Sequence, residues 1–261
     1  MLHLDHKDHM AAMQSLNDAR NVITKRFRKE FTTDNKSTGG VFDPVTEVDK
    51  QTEAAMRAVL RQTTHAIVGE EYPDEQGSSA LHWLIDPIDG TRAFLTGMPT
   101  FMTLLGLIDG ETPKIGYADQ PILRERFMGN NHEAFLVRET ETQALRTADH
   151  KPLEDILVAT TSPAIFASNH ERYAHEQLTK NVKLMRYGGD SYNYCMLAMG
   201  MIDAVVEPGL QTYDIHPLTP IIKGAGGSVV NFEGGNEFTG QIIAASSEAL
   251  AQEIVRLISP S

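Results

Sequence analysis

Two stretches near the start of the chain have the spacing of apolar residues that is typical of helices. The first runs from about Leu4 to Phe31 and the second from Val48 to Arg61, and in both the apolar positions recur every three or four residues. Thr46 stands just before the second stretch, and an aspartate follows it three residues later, which is the pattern of a capping box. We therefore predict two helices, separated by a polar, glycine-bearing loop over residues 34–40.

Short apolar runs bounded by turn residues or acids predict strands over most of the remaining chain. The first set is Ala66–Val68, Leu81–Ile85, Phe101–Ile108, Pro113–Asp119, Arg126–Gly129 and Ala134–Arg138. Later elements alternate as strand Ile156–Thr160, a helix, strand Val182–Arg186, helix Ser191–Ala198 and strand Ala204–Glu207. Residues 139–152 between the two sets are polar and poor in strand-forming residues. This order predicts an N-terminal α+β portion (residues 1–145) packed on a C-terminal α/β portion (residues 146–261), with a site between them.

Composition and charge exclude several classes of protein. Of 261 residues, 41% are hydrophobic and 22% are charged, which indicates a globular chain. The net charge of −12 argues against a nucleic-acid partner, because binding a phosphate backbone requires concentrated lysine and arginine. The longest apolar run is too short to cross a membrane, and the one cysteine, Cys195, cannot form an internal disulfide. We therefore expect a cytoplasmic protein that does not bind membranes or nucleic acid.

Candidate chemistry is concentrated where an apolar strand runs into Asp86-Pro-Ile-Asp89-Gly-Thr. Two carboxylates three residues apart, with a backbone carbonyl between them, can converge on a hard cation such as Mg²⁺ or Mn²⁺. A helix beginning at Thr91 would direct free N–H groups at an anion. The alternative is that the aspartates cap a turn and that the threonine caps the helix.

Three further acidic positions also fall at the ends of predicted elements. They are Asp49 near a helix start, Glu70 after a strand in Gly-Glu-Glu, and Asp214 before an apolar helical stretch. Each has a simpler explanation when taken alone, as part of a capping box, as exposed surface, or as an N-cap. Their shared placement at element ends favours a common site.

These segments together resemble the inositol monophosphatase-like superfamily of metal-dependent, lithium-sensitive phosphatases. The matching pieces are Val45–Asp49, Gly69–Glu71, Trp83–Thr91, Tyr213-Asp214 and Ala225–Gly227, in the order of that family. The resemblance implies a layered αβαβα sandwich of the inositol monophosphatase and fructose-1,6-bisphosphatase type. It also implies a homodimer that hydrolyses a small-molecule phosphate ester with two or three Mg²⁺ ions, Mn²⁺ being a possible substitute.

The resemblance also implies a role for each matching residue. One metal would be held by Glu70, Asp86 and the Ile88 carbonyl, and a second by Asp86, Asp89 and Asp214. A weaker third ion would lie beside Glu70, which is therefore also expected to be catalytic. Asp49 and Thr91 would orient and deprotonate the attacking water, and the backbone amides of Gly90 and Thr91 would hold the phosphate.

Other segments resemble the histidinol-phosphate phosphatase branch of this superfamily. They are Asp119-Gln-Pro-Ile-Leu-Arg-Glu-Arg126, Thr160-Thr-Ser-Pro163, Gly188-Gly-Asp-Ser-Tyr192 and Val206-Glu-Pro-Gly209. Histidinol phosphate joins an anionic head to a cationic tail, which Asp190 and Glu207 could bind. Asp190 could instead cap the helix that begins near Ser191. We therefore expect an enzyme of histidine biosynthesis.

Several alternatives to this expectation stay open. The substrate could be an inositol phosphate, fructose bisphosphate or a phosphoadenosine, and a third possibility is a non-catalytic sensor built on the same scaffold. Lys36 falls in a loop that carries a lysine in several relatives. A packing role is the simpler interpretation of His216 and of Tyr192, Tyr194 and Met196. Exposure to solvent is the simpler interpretation of His3, His6 and His9. Pro220 predicts a kink in the helix after Asp214.

Overall fold

The structure is a computed structural model that describes residues 6–30, 33–35 and 44–260. The helices in these ranges are α1 (His6–Arg26), α2 (Glu47–Leu60), α3 (Thr91–Leu95), α4 (Asn169–Asn181), α5 (Asp190–Ala198), α6 (Thr212–Ile215), α7 (Thr219–Gly224) and α8 (Glu248–Ile258). The strands are β1 (Thr33–Asn35), β2 (Pro44–Thr46), β3 (Ala66–Gly69), β4 (Leu81–Asp89), β5 (Met102–Asp109), β6 (Thr112–Gln120), β7 (Glu125–Gly129), β8 (Ala134–Arg138), β9 (Glu141–Ala144), β10 (Leu157–Thr160), β11 (Leu184–Tyr187), β12 (Ala204–Pro208), β13 (Ser228–Asn231) and β14 (Gln241–Ala245). Among the helices of these ranges, none has the combination of length and apolar character that crossing a bilayer requires.

Five layers of helix and sheet stack on one another. A seven-stranded sheet has the order β3-β4-β5-β6-β7-β8-β9, and a five-stranded sheet has the order β11-β10-β12-β14-β13. Helices α1 and α2 share a buried apolar cluster with one face of the larger sheet, and α5 and α7 share another with both sheets. Helices α4 and α8 share a third cluster with the outer face of the smaller sheet. The predicted αβαβα sandwich is confirmed.

Strand β5, in the middle of the larger sheet, is almost entirely apolar because helices cover both faces of the sheet there. Every residue of β5 from Met102 to Ile108 is buried. An exposed sheet face would instead produce alternating polar and apolar residues. At the N-terminal edge, Thr46 and Asp49 form the predicted capping box, so that α2 begins where the sequence indicated. The same continuous apolar character makes β5 easy to recognise in the sequence.

Several features of the secondary structure differ from the prediction. Strand β1 covers residues 34 and 35 of the predicted loop, and strand β2 was not predicted. Residues 139–152 contain strand β9, which the prediction missed because all four of its residues are exposed at the sheet edge and carry no apolar pattern. The elements after Gly227, namely β13, β14 and α8, were not predicted. The single kinked helix after Asp214 is in fact two helices, and Pro220 lies in the first turn of α7, where its missing N–H removes no intrahelical hydrogen bond.

The division at residue 145 stays a prediction. The central apolar cluster contains side chains from both portions, among them Leu136 from the first and Leu218 from the second. The two portions therefore share one continuous interior layer.

Candidate active site

A bulge in β4 directs two carboxylates to the same side of the sheet. Asp86 is paired with Leu104 and Asp89 with Met102, so that three steps along β4 match only two along β5. Residues three apart in a regular strand point to opposite faces, and one extra residue brings them onto the same face. Pro87 lies within the bulge, and its carbonyl accepts a hydrogen bond of 2.9 Å from the Thr103 hydroxyl.

Asp86, Asp89 and Asp214 form a compact trio. Each offers one carboxylate oxygen, and these oxygens all lie within 4.8 Å of one another. Asp86 is 1% exposed, and burial, followed by the negative charges of Glu70 and Asp89, raises its pKa well above the usual value. Burial and then the charge of Asp190 raise the pKa of Asp89 to about 7. Such carboxylates need a compensating positive charge, which a bound cation supplies.

Asp214 is brought to the trio by direct contact between α6–α7 and the larger sheet. Gly106, Gly116 and Gly129 are neighbours across β5, β6 and β7. A Cβ at Gly116 would overlap the carbonyl oxygen of Pro217, and one at Gly129 would lie 2.6 Å from the carbonyl oxygen of Pro220. This row of glycines lets the α6–α7 backbone rest on the strands themselves.

Within α6, Asp214 is not the N-cap that its position in the sequence suggested. Gln211 precedes the helix, and Asp214 is the third helical residue, whose Oδ2 accepts a hydrogen bond of 2.7 Å from the Gln211 backbone N–H. One oxygen therefore fixes the side chain to the helix start. The carboxylate still belongs to the trio.

The segment that carries Glu70 and Glu71 is tied to α2 by a buried ion pair. Glu53 accepts a hydrogen bond of 2.7 Å from Arg57 Nε through one oxygen and one of 2.8 Å from the Glu71 N–H through the other. Arg57 also donates to the carbonyl oxygens of residues 72 and 73. Glu70 is not a member of the close trio, but its charge acts on all three members.

Asp49 and Thr91 meet next to the trio. The Oδ2 atom of Asp49 accepts hydrogen bonds from the Thr46 backbone N–H, at 2.9 Å, and from the Thr46 hydroxyl. Its Oδ1 lies 3.4 Å from the Thr91 hydroxyl, which also lies 3.1 Å from the Ile88 carbonyl oxygen. Burial raises the pKa of Asp49 to about 6. The capping interpretation is correct for one oxygen of Asp49, while the other faces Thr91.

A small cavity of about 150 Å³ extends from the trio toward the smaller sheet. The residues that line it include Asp89, Asp190 and Asp214 together with Thr161, Ile165, Tyr194, Glu207 and Leu210. Glu207 is 2% exposed, and its two oxygens accept hydrogen bonds from the Thr161 N–H at 2.6 Å and the Tyr194 hydroxyl at 2.9 Å. Burial raises the pKa of Glu207 to about 7.

Asp190 does not cap α5, contrary to the simpler interpretation. Gly189 occupies the N-cap position without a side-chain bond, and Asp190 is the first helical residue. A Cβ placed on Gly90 would lie 3.0 Å from the Asp190 carboxylate, so the two residues touch across the cavity mouth. Burial and then the charge of Glu207 raise the pKa of Asp190 to about 6, against the opposing effect of Arg92. Asp190 is thus free for a role other than capping.

Tyr192, Tyr194 and Met196 pack in or against the central apolar cluster, as the sequence interpretation had it, and both tyrosines also make a polar contact. Tyr194 fixes Glu207 at the cavity, and Tyr192 donates a hydrogen bond of 2.7 Å to Glu125. Their helical spacing gave no sign of this. His216 does pack, with its ring 5.5 Å from that of Phe238 beside a second cavity of about 620 Å³, which none of the clustered acids lines.

The interpretations of the N-terminal histidines and of Lys36 concern residues that the structure describes only in part. His3 and Lys36 lie outside the described residues. In α1, His6 is exposed, whereas His9 is half-buried and its Nδ1 lies 3.1 Å from the Tyr117 hydroxyl.

Comparisons with known proteins place the chain in a family. A model of the inositol monophosphatase family matches residues 6–260. The bifunctional phosphatase IMPL2, chloroplastic, of Arabidopsis thaliana is 38% identical over 82% of this chain, which spans 61% of that protein's length. The Nus factor SuhB of Haemophilus influenzae is 30% identical over 95% of this chain and 94% of its own. A histidinol-phosphatase of Mycobacterium tuberculosis is 27% identical over 88% of this chain and 90% of its own.

A solved structure extends the comparison to the fold. It is an inositol monophosphatase from Zymomonas mobilis, with 33% identity and a TM-score of 0.83 over 96% of this chain and 97% of that one.

Proposed function

The chain belongs to the inositol monophosphatase family and is a phosphoric monoester hydrolase, and we propose that its substrate is histidinol phosphate. The observation that carries this proposal is the position of Asp190. Its carboxylate lies against Gly90, and Asp190 lines the same small cavity as Asp89 and Asp214 of the trio. An ester with an anionic head and a cationic tail matches this arrangement once cations occupy the trio.

The trio fits a hard divalent cation. The Oδ1 atom of Asp86 is buried without a hydrogen-bond partner, and an orphaned carboxylate oxygen costs free energy unless an ion or water satisfies it. Oxygen ligands alone favour Mg²⁺, with Mn²⁺ as the nearest substitute. We assign Asp86, Asp89 and Asp214 to one ion, and Asp86, Glu70 and the Ile88 carbonyl to another. Bound Mg²⁺ would neutralise phosphoryl charge and make water acidic enough to attack at neutral pH.

The protein's own contribution to proton transfer is assigned to Thr91 and Asp49. A hydroxyl that donates to a carboxylate keeps its lone pairs free to accept from water. When the attacking water gives a proton to the Thr91 oxygen, the hydroxyl proton can pass to Asp49 Oδ1, at 3.4 Å. Thr46 occupies the other oxygen of Asp49 and so keeps the accepting oxygen directed at Thr91. The backbone amides of Gly90 and Thr91 are assigned to the phosphate.

The tail of the substrate is assigned to Asp190. Both oxygens of Glu207 already accept hydrogen bonds from the protein, so that Glu207 contributes negative charge and shape to the cavity wall. Of these two acids, Asp190 is the one whose carboxylate can give up its present contacts and bind an ammonium or imidazolium group of the substrate. Inositol 1-phosphate is the principal alternative substrate, since relatives are named for both activities.

A panel of phosphate esters at saturating Mg²⁺ tests the proposal. We expect a higher kcat/KM for histidinol phosphate than for inositol 1-phosphate, fructose 1,6-bisphosphate or 3′-phosphoadenosine 5′-phosphate. Asp190→Asn removes one charge with little change of shape, and we expect it to lower kcat/KM for histidinol phosphate about tenfold or more, the scale of a lost charge pair. The same variant should change kcat/KM for inositol 1-phosphate by less than about threefold, since that ester has no cation.

Three outcomes of this panel would contradict the proposal. A preference for inositol 1-phosphate would assign the alternative substrate. Equal losses on every ester in the Asp190 variant would mean that this side chain is structural. No phosphate release from any ester would favour a non-catalytic role. Competition between Li⁺ and Mg²⁺ is a further expectation, and the cytoplasmic location and the homodimer stay predictions.

A further inference from the structure

The chain enters α5 through three consecutive residues with left-handed backbones. Gly188, Gly189 and Asp190 have φ angles of 82°, 117° and 44°. Aspartate tolerates this conformation better than most non-glycine residues, but it still costs free energy relative to the right-handed helical region. Contacts of the helical turn that follows help to hold Asp190 in this position.

Two hydrogen bonds hold that turn against the larger sheet. The Ser191 N–H donates to Asp89 Oδ2 at 2.7 Å, and the Tyr192 hydroxyl donates to Glu125 Oε2 at 2.7 Å. The other oxygen of Glu125 accepts from two nitrogens of Arg138, at 2.9 and 2.6 Å. Arg138 thus holds one carboxylate oxygen of Glu125 on β7, and the other oxygen binds Tyr192 of α5.

We propose that Tyr192 and Glu125 are positioning residues for Asp190, which hold its carboxylate across Gly90 and thereby set the selectivity of the enzyme for a cationic substrate tail. This rests on the proposed function in taking Asp190 as the group that binds the tail. Neither Tyr192 nor Glu125 lines the cavity beside the trio, so both act through α5. The ring of Phe127 packs edge-on to that of Tyr192, with centroids 6.4 Å apart.

The pair also gives a physical reason for two sequence motifs that are far apart in the chain. Glu125 belongs to the Asp-Gln-Pro-Ile-Leu-Arg-Glu-Arg segment, and Tyr192 to Gly-Gly-Asp-Ser-Tyr. The two segments lie more than sixty residues apart in the chain and meet through this hydrogen bond. One motif carries the acid that binds the tail, and the other carries the support for its helix.

Steady-state kinetics of the full-length, Mg²⁺-loaded enzyme test the proposal. We would measure kcat/KM for histidinol phosphate and inositol 1-phosphate in the wild type, Tyr192→Phe, Asp190→Asn and the double variant. Tyr192→Phe removes one hydroxyl and keeps the ring, and it should lower the ratio of the two kcat/KM values about tenfold, mainly through KM, because a small displacement of a binding group is costly. In the Asp190→Asn background, the same change should alter the ratio by less than about twofold.

Three further variants separate positioning from a general effect on the fold. Tyr117→Phe also removes a buried hydroxyl that is in hydrogen-bond contact, here at 3.1 Å from His9 on the opposite face of the sheet, and it should leave the ratio unchanged. Glu125→Gln keeps an acceptor for the tyrosine and should stay close to the wild type, whereas Glu125→Ala should resemble Tyr192→Phe. Because Arg138 is half-exposed, its release in Glu125→Ala does not leave a buried charge.

The possible results distinguish a failure of this positioning proposal from a failure of the proposed substrate. An unchanged ratio in Tyr192→Phe, an equal loss on both esters, or an effect that persists in the Asp190→Asn background would each overturn it. If the wild type prefers inositol 1-phosphate, the proposed substrate is wrong, and the coupling between the two residues is measured on whichever ester Asp190→Asn impairs. If Asp190→Asn impairs no ester, the positioning proposal fails as well.

Discussion

Replacing Arg57 should be among the most destabilising single changes in the described part of the chain. Its side chain is 1% exposed and its guanidinium makes four hydrogen bonds, of 2.7 to 3.1 Å, to Glu53, Glu75 and two backbone carbonyls. In Arg57→Met the carboxylate of Glu53 stays buried with only the Glu71 N–H as a partner. Breaking a buried pair from one side costs about 3–5 kcal/mol.

Arg61 is the matched control because it also binds Glu75, which Arg57 binds, but it does so at the protein surface. It donates two hydrogen bonds of 2.8 Å to Glu75, but its side chain is 58% exposed. Exposed pairs contribute at most about 1 kcal/mol, so Arg61→Met should change the free energy of unfolding by no more than that. The structure therefore predicts a severalfold difference between two arginines that share one partner.

Thermal and urea unfolding measure this difference. With about 2–4 °C of Tm per kcal/mol for a domain of this size, we expect Arg57→Met to melt roughly 6–20 °C below the wild type. Glu53→Met combined with Arg57→Met should recover part of the loss, because no buried charge is then left unpaired. A Tm for Arg57→Met within about 3 °C of the wild type, equal to that of Arg61→Met, would refute the reasoning.

Three other results are expected. Gly116→Ala should destabilise the protein by about 1–3 kcal/mol or more, measured by urea unfolding, because its Cβ would overlap the carbonyl oxygen of Pro217. Asp86→Asn should raise the Tm of the metal-free protein, since it removes a buried charge, and abolish the increase in Tm on adding Mg²⁺. Metal-free protein should become more stable as the pH falls from 8 to 5. Asp89 and Glu207 have pKa values raised to about 7, so the folded state binds protons more tightly than the unfolded state, by up to about 1.4 kcal/mol per pH unit for each group. Saturating Mg²⁺ should remove the contribution of Asp89, and a Tm of the metal-free protein that rises with pH would contradict the assignment.

The sequence predicted the elements whose signal is local. The helix start at Thr46 and Asp49, the buried strand before Asp86 and the alternation after residue 156 each depend on neighbours in the chain, and the structure contains all of them. The acids of the trio could be named because each stands at the end or the start of a predicted element. Strand β9 was missed because its stability comes from pairing with β8 and not from its own residues.

The parts of the site that could not be predicted depend on contacts between distant segments. Gly106, Gly116 and Gly129 look like separate interruptions of three strands, and only their register shows that they form one surface for the α6–α7 backbone. The pairing of Glu125 with Tyr192 is invisible for the same reason. Pro87 did carry a signal: a proline inside an apolar strand indicates a bulge, and the bulge is what turns Asp86 and Asp89 to one side.

The arrangement of the cavity separates the chemistry from the choice of substrate. Asp86 and Asp89 project from the end of β4 in the larger sheet, whereas Glu207 lies at the end of β12 in the smaller one and Asp190 begins the helix between them. On the proposed assignment, a change at Asp190 would alter the contacts of the substrate tail while Asp86, Asp89 and the β4 bulge that carries them are kept. Family members named for different phosphate esters can then share one fold and one cluster of acids, although the turn that carries Asp190 is itself bound to Asp89 through the Ser191 N–H. For the same reason, the proposal that this chain acts on histidinol phosphate depends on α5 and its support on β7 more than on the acids that identify the family.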